Sequence, residues 1–326
     1  MSKVDRNNPQ RALSSESRYT LMDFDRDFPD DAACMAWLVG HLYPDGIFCP
    51  KCGKVTKHHR VAKRTSYACQ FCGHQEYPLA GTIFQDSATS LKLWFHAFFL
   101  MAQTRCGISA KQLERELGVT YKTAWRMFRK IRSLLQDEGE PPLSGEVEAD
   151  ETYFSASKRL GDPRRSGLMK NKRVVMGAVE RKGRVIARHV PTAGDLAGEA
   201  HVRQFVLPGS VVYTDEWRGY DYLSRAGYGH RRINHSERVY VSGDVHTQTI
   251  EGFWSLLKRG LSGVYHAVGS DYLQSYVDEY AWRYNHRRDP RGTFTLLLAR
   301  IVSVATSDSP SVATKFPTDG HDVAGG

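Results

Sequence analysis

Long apolar stretches are missing from this chain, and its first residues carry no apolar core. The longest apolar run, residues 91–102, contains Lys92 and His96 and is too short to cross a bilayer. Residues 1–19 are polar and do not have the pattern of a secretory leader. These absences argue against a membrane-spanning or exported protein, and we expect a soluble intracellular protein with no membrane partner.

Acidic residues are scarce relative to basic ones. The 326 residues include 45 Lys and Arg but only 36 Asp and Glu, which gives a net charge of +9. Such an excess favours a polyanionic partner, although a dispersed solubilising surface would give the same total. The length allows two or three domains, and we find no internal repeat.

Cysteines are also few, and four of the six form two C-x2-C pairs. Cys49 and Cys52 make the first pair, and Cys69 and Cys72 follow after sixteen intervening residues. Four thiolates at this spacing suit a tetrahedral zinc site, with each pair on a tight turn that a glycine ends. A redox dithiol is the alternative, but two matched pairs argue against it. We predict one structural Zn²⁺.

Two short helices with capping signals follow the cysteine region. Ser109 and Gln112 form a predicted capping box, Gly118 ends the first helix, and Thr120 caps the second. This pattern predicts a helix-turn-helix. Residues 105–132 hold eight Lys or Arg and two acids. An ordinary helical hairpin with a solvated basic face is the alternative to DNA binding, for which the candidate residues are Lys122, Arg126, Arg129 and Lys130.

A polar, proline-containing linker at 137–144 precedes a different pattern. Three strands in succession, then helix, strand, helix, strand and helix, predict a mixed five-stranded α/β sheet covered by helices. Residues 158–173 carry seven Lys or Arg and one Asp, so this basic loop, with Arg164 and Arg165, is a candidate phosphate-backbone contact. The strands are predicted at 146–154, 173–180, 184–190, 210–214 and 230–234.

Acids occur where strands of the sheet end. Asp150 lies in the first strand, and Asp215 directly follows the apolar strand at 210–214. The carboxyl ends of strands are where ligand crevices open in α/β sheets. In the helix predicted at 244–259, Glu251 lies in the first turn, and Lys258 lies further along the same polar side of the helix. Each acid alone could be a surface residue, but together they predict a metal site or a cleft.

Several motifs together resemble one known family. They are CPKCG with CQFCG, AGTIF, GISAKQLERELGVTYKTAWRM, EADETYF, VYTDEWRGY, HTQTIEGFWSLLKRGLSGVYH and YNHRR, within about residues 28–288. The chain resembles the ISXO-like insertion-sequence transposases, a bacterial DDE group with relatives among the eukaryotic Merlin elements. The resemblance implies a prokaryotic, nucleoid-associated cytoplasmic enzyme that binds terminal inverted repeats and performs metal-dependent strand cleavage and transfer. It further implies a homodimer or larger assembly on double-stranded DNA.

Site residues are carried over by position from the resemblance. It implies a ribonuclease-H-like domain with two Mg²⁺ or Mn²⁺ ions, for which Asp150 and Asp215 are the first two ligands and Glu251 the third. Lys258, with Arg259 beside it, would contact DNA near the scissile phosphate. Relatives often have Asn in the last motif, where this chain has Gln248. We keep Glu251 as the ligand, because a carboxylate balances two dications better than an amide. His246 and Gln248 remain candidates for contacts to the ligands or the substrate.

The predicted organisation is therefore multi-domain. Two other functions stay open: a catalytically inactive DNA-binding regulator, and a structure-specific nuclease without joining activity. The predicted segments are a flexible lead (1–27), a helix with the zinc ribbon (28–86), the helix-turn-helix (88–136), the linker (137–144), the catalytic domain (145–290), a C-terminal helix (291–306) and a disordered tail (307–326).

Overall fold

The computed structural model describes residues 19–62, 64–104, 106–136, 139, 141–155, 172–191, 194, 196–233, 247–265, 268–289 and 292–307. Its residues group into two compact units. The first contains the residues up to Met35 together with Ala88–Arg300, and the second contains Ala36–Ser87 and the residues from Ile301 onward. Within the described ranges, no helix is both long and apolar enough to cross a membrane.

A five-stranded mixed sheet forms the centre of the first unit. Its strands are β6 (Glu146–Ser155), β7 (Lys172–Glu180), β8 (Val185–Val190), β9 (Val211–Thr214) and β10 (Gly229–Arg232). The strand order is β10-β9-β6-β7-β8, in which β6, β7 and β8 are antiparallel neighbours and β9 and β10 run parallel to β6. The predicted five-stranded mixed sheet is therefore confirmed.

Helices cover both faces of this sheet. Val147 and Ala149 of β6 face a buried apolar cluster that includes Val202 of α6 (Ala197–Phe205). Because side chains alternate along a strand, Glu148 and Asp150 point to the other face, where α7 (Gln248–Gly260) packs on β6 and β7. The predicted apolar stripe of α7 is buried, and it consists of Ile250, Phe253, Trp254 and Leu257.

Two further helices of this unit confirm the capping pattern in part. Ser109 Oγ accepts a hydrogen bond from the Gln112 amide at 3.1 Å, and Gly118 ends α4 in the left-handed region at φ 63°. Thr120 caps α5 through the Thr123 amide. The reciprocal half of the capping box was wrongly predicted, because the Gln112 side chain donates to Glu116 instead. The helices of the region are α3 (Leu91–Gln103), α4 (Ala110–Leu117) and α5 (Tyr121–Ser133).

Helix α8 (Leu273–Asn285) contains a buried ionic pair that faces α3. Glu279 is fully buried and accepts hydrogen bonds from Arg283, whose Nη1 also donates to the carbonyl of Thr104 at 2.7 Å. The Tyr280 hydroxyl donates to the carbonyl of Cys106 at 2.6 Å. These bonds go to carbonyls at and just beyond the end of α3, and they join the helices of residues 88–136 to the α/β part of the same unit.

The second unit contains short strands in a two-stranded and a three-stranded sheet. The elements are α1 (Leu21–Asp27, in the first unit), α2 (Asp31–Leu42), β1 (Phe48–Cys49), β2 (Lys54–Val55), β3 (His58–Arg60), β4 (Tyr67–Cys69), β5 (Gln75–Glu76) and α9 (Thr293–Ser307).

Candidate functional site

The parallel pairing of β6 with β9 brings Asp150 and Asp215 together. The paired positions end at Glu148 and Tyr213, and each aspartate lies two residues further along the chain, Asp150 within β6 and Asp215 just after β9. Their carboxylate oxygens and one of Glu151 lie within 4.8 Å of one another. Asp215 Oδ1 also accepts a hydrogen bond from the Trp217 amide at 2.9 Å, in the turn that follows β9. The expected convergence of two carboxylates at the strand ends is present.

Glu151 is the member of this group that sequence reasoning missed. It follows Asp150 directly, and neighbouring residues of a strand point to opposite faces, so the two were not expected to meet. Asp215 lies just beyond the end of β9, and its carboxylate comes within 4.8 Å of an oxygen of each of the two β6 acids. Glu151 Oε2 is buried, and no hydrogen-bond partner for it is found among the described residues. The run of acids in Glu148-Ala-Asp-Glu151 was the available signal.

The electrostatics of the group favour a cation. Burial, and then the charge of Asp215, raise the pKa of Asp150 to about 6. Burial, and then the charges of Asp215 and Asp150, raise the pKa of Glu151 to about 8. Carboxylate oxygens are the ligands that hard divalent cations prefer, and an unpartnered buried oxygen offers a free lone pair. The donor set therefore fits a divalent metal, which the family reported below also implies.

We expect Mg²⁺ or Mn²⁺ to raise the melting temperature of the zinc-loaded protein. At 100 times its Kd a bound cation adds about 2.7 kcal/mol to the free energy of unfolding, which raises the melting temperature by several degrees for a unit of this size.

Asp150 and Glu151 have raised pKa values, so without cation they stabilise the fold at low pH. That stability is lost as the pH rises through about 6 and about 8. The cation-dependent rise in melting temperature should therefore be larger at pH 8 than at pH 5, as measured by scanning fluorimetry. An equal rise at both pH values would contradict this.

Helix α7 places Glu251 beside the aspartates, but not within the group of three. Glu251 is exposed in the first turn, and its Oε1 accepts a hydrogen bond from the Thr247 hydroxyl at 3.0 Å. Its charge contributes to the raised pKa of Asp150, which follows from their proximity. Lys258 and Arg259 are exposed in the last turn, and Gln248 is exposed at the first helical position. His246, like Arg164 and Arg165, lies outside the described residues.

The contact between α7 and the sheet depends on a glycine. Trp254 Nε1 donates a hydrogen bond to Asp150 Oδ2 at 2.9 Å. Its indole lies over Gly177, the β7 residue that pairs with Asp150. A Cβ at Gly177 would stand 2.6 Å from the Trp254 ring. The missing side chain on β7 therefore makes room for the indole that holds Asp150.

The four predicted zinc ligands converge in the second unit. The Sγ atoms of Cys49 and Cys72 are 3.4 Å apart, and those of Cys52 and Cys69 are 3.9 Å apart. A tetrahedron with Zn–S bonds of about 2.3 Å has sulfur–sulfur edges of about 3.8 Å. Gly53 closes the first turn with φ 66°, and its amide donates to the Cys49 carbonyl at 2.9 Å. Gly73 repeats this geometry at Cys69.

The predicted basic residues form one face of α5. Lys122, Arg126 and Arg129 are exposed and Lys130 is half-buried, while Met127, Phe128 and Ile131 are buried on the opposite side. The four basic residues line a groove of about 570 Å³ together with Trp125. The Arg129 guanidinium stacks 5.0 Å over the Tyr272 ring, which holds it on this surface.

Two family models and two known proteins match this chain in sequence. Residues 142–285 match the model of the ISXO2-like transposase domain, and residues 29–75 match the transposase zinc-ribbon domain. The uncharacterized protein in transposable element ISH50 of Halobacterium salinarum is 32% identical over 265 residues. That alignment covers 76% of this chain and 88% of the relative. A Haemophilus influenzae transposase-like protein is 34% identical over 85 residues, which are 26% of this chain and 68% of that protein.

These matches define a transposase with an N-terminal zinc ribbon. The chain belongs to the ISXO2-like transposase family. The family assignment from the motifs is thus confirmed, and with it the expectation of a structural zinc in the Cys₄ cluster and of a divalent metal in the DDE-type domain.

Solved structures add a remote likeness. A chain of the simian T-cell lymphotropic virus intasome in complex with PP2A regulatory subunit B56 gamma aligns at 15% identity and a TM-score of 0.31. The alignment covers 71% of this chain and 80% of that one. A TM-score this low supports no inference about function.

Proposed function

We propose that the protein is the DNA transposase of an insertion sequence, which binds the element's terminal inverted repeats and both cuts and joins DNA strands. The observation that carries the proposal is that Asp150 within β6 and Asp215 directly after the neighbouring parallel strand β9 bring their carboxylates together, with Glu251 in the first turn of α7 beside them. A mixed sheet with β6 at its centre supports a ribonuclease-H-like assignment for this domain.

The carboxylates would hold the catalytic cations. Asp150, Asp215 and Glu251 come from three separate elements, which suits two cations about 4 Å apart. When bound, the cations stabilise the attacking and leaving oxygens of an in-line displacement. The Trp254 indole fixes one oxygen of Asp150, and Glu151 lies next to the aspartates. Lys258 and Arg259, exposed at the far end of α7, would contact the DNA backbone.

Helices α4 and α5 would act as a helix-turn-helix. Gly118 ends the first helix, and the second presents its basic face to solvent. A helix of this kind enters the major groove while cationic residues contact phosphates. The groove lined by Lys122, Arg126 and Arg129 gives this face a concave, cationic surface that is suited to a phosphate backbone. The zinc ribbon would provide a second DNA contact.

Removing charge from α5 should weaken DNA binding in a salt-dependent way. We expect Lys122→Ala to lower affinity for all sequences by a similar factor. It should also reduce the slope of log K against log salt by about 0.9, since one phosphate contact is lost. Titration of labelled duplex at several salt concentrations measures the slope.

The matched control for this experiment is Lys182→Asn. Lys182 is exposed in the β7–β8 turn at φ 64°, a conformation that Asn tolerates, and its substitution removes the same single charge. The control should keep the wild-type slope. Equal slopes for Lys122→Ala and Lys182→Asn would show that α5 makes no specific phosphate contact.

Incubation with duplexes carrying the element's ends, an unrelated target duplex and Mg²⁺ tests the proposed function. We expect nicks at the repeat ends and products in which the liberated 3′-hydroxyl is joined to target DNA. Nicks without joined products would favour a nuclease, and binding without nicks would favour a regulator. Since two ends must be brought together, we expect a dimer or larger assembly on the DNA.

A further inference from the structure

The first turn of α7 is capped from a distant strand. Thr247 precedes the helix, yet its hydroxyl makes no capping bond to the helix amides and instead donates to Glu251. Glu148 of β6 accepts hydrogen bonds from the amides of Thr249 and Ile250, at 2.8 and 3.1 Å. It also accepts one from the Thr249 hydroxyl at 2.9 Å. The Glu148 carboxylate thus performs the role that an N-cap side chain usually has.

Glu148 is itself held in place by an ion pair with Arg181. Its side chain is fully buried, and Arg181 Nε donates to its Oε1 at 3.1 Å. The Arg181 guanidinium stacks 3.8 Å over the Tyr213 ring and lies 3.6 Å from Glu146. A buried carboxylate needs such partners to stay charged. A negative charge at a helix N-terminus is in turn favoured by the helix dipole.

The position of Glu148 links this cap to the metal ligands. Glu148 and Asp150 are two residues apart on β6, so both point toward α7. Glu148 binds the first turn, and Asp150 binds Trp254 one turn further along. Two attachments at different positions along the helix axis prevent α7 from rotating about that axis and from shifting along β6. Glu251 lies between Ile250 and Trp254, two residues at which the helix is attached, so these attachments determine where its carboxylate stands.

We propose that Glu148 is a positioning residue for the metal centre, which caps α7 from β6 and thereby fixes Glu251 relative to Asp150 and Asp215. The role rests on the proposed function of these three carboxylates as cation ligands. Glu148 does not bind the cation. It acts through the helix, and Thr247, relieved of capping, orients the Glu251 carboxylate.

Mn²⁺ titration of the full-length, zinc-loaded protein by calorimetry tests the proposal. Glu148→Gln keeps the shape of the side chain but removes its charge and one acceptor oxygen. We expect Mn²⁺ affinity to fall 10- to 100-fold, the range found when residues that support metal ligands are changed. The matched control is Glu146→Gln on the same strand. Glu146 is exposed and also contacts Arg181, but is not bonded to α7, and the control should bind Mn²⁺ as wild type does.

A double-mutant cycle separates positioning from general destabilisation. If Glu148 acts through Glu251, then Glu148→Gln should add no further loss of Mn²⁺ affinity in a Glu251→Gln background. A loss that adds in full would mean that the whole site is disturbed, and it would overturn the proposal. If Glu148→Gln does not fold, Thr249→Val removes only the hydroxyl bond to Glu148. Thr249→Val should lower Mn²⁺ affinity when Glu251 is present, and it should have no effect in the Glu251→Gln background.

The controls also separate this proposal from the proposed function. If the wild-type protein shows no Mn²⁺ binding that depends on Asp215, the metal site itself is overturned. Binding that Asp215→Asn abolishes but Glu148→Gln leaves unchanged would overturn only the positioning role. The positioning role would also be overturned if Glu251→Gln bound Mn²⁺ as tightly as wild type.

Discussion

Asp215→Asn is expected to abolish DNA cleavage and joining while leaving DNA binding intact. The substitution keeps the size of the side chain and its acceptor oxygen for the Trp217 amide, but it removes a charged ligand between Asp150 and Glu151. A catalytic cation contributes several kcal/mol, and each 1.4 kcal/mol is a factor of ten in rate. We therefore expect a loss of about 10³-fold or more in the rate of nicking under single-turnover conditions.

The matched control is Asp221→Asn, six residues further along. Asp221 is an exposed acid that pairs with Arg232 and lies outside the carboxylate group. It should nick at nearly the wild-type rate. Wild-type cleavage by Asp215→Asn would refute the assignment of the site, whatever the control does.

The same assay identifies the third ligand. Glu251→Gln should approach the loss seen for Asp215→Asn, because its carboxylate is exposed beside the aspartates and the first turn that carries it is fixed. Glu151→Gln should cost less. Glu151 lies next to the aspartates but is not one of the three proposed ligands, so its substitution changes only their surroundings. The reverse order would make Glu151 the ligand and Glu251 the supporting residue.

Cys52→Ser is expected to release the structural zinc. Three thiolates and a hydroxyl no longer complete the tetrahedron, and a ribbon of this size draws on the order of 10 kcal/mol of folding free energy from its metal. Its strands are only two or three residues long, so little else stabilises them. We expect zinc per chain, measured by mass spectrometry of the metal, to fall from about one to near zero. Limited proteolysis should then cut within residues 48–76.

Cys106→Ser is the control for the thiol itself. Cys106 is exposed and lies outside the four-cysteine group, so the variant should keep its zinc. Because the ribbon and the carboxylate group belong to different compact units, Cys52→Ser should also keep the Mn²⁺-dependent rise in melting temperature. Zinc retained by Cys52→Ser would refute the four-cysteine site.

Local patterns in the sequence determined much of the architecture. The cysteine spacing was sufficient for the zinc cluster, because two short turns bring the thiolates of each pair together. The alternation of apolar residues was sufficient to predict the sheet. The places of Asp150 in a strand and of Asp215 after a buried strand were sufficient to predict that these two acids meet. The stripe of Ile250, Phe253, Trp254 and Leu257 predicted the buried face of α7, which is a property of the helix alone.

Only the tertiary structure decided how these elements meet. Glu148 and Thr249 are 101 residues apart, and nothing in either segment indicates that a strand carboxylate caps the helix. Glu151 was missed because strand alternation places it away from Asp150, and only the position of Asp215 beyond the end of β9 brings the three carboxylates together. The need for a glycine at position 177 becomes evident only when Trp254 is seen to pack over it. Each of these depends on the register between segments distant in the sequence, and register is set by packing of the whole unit.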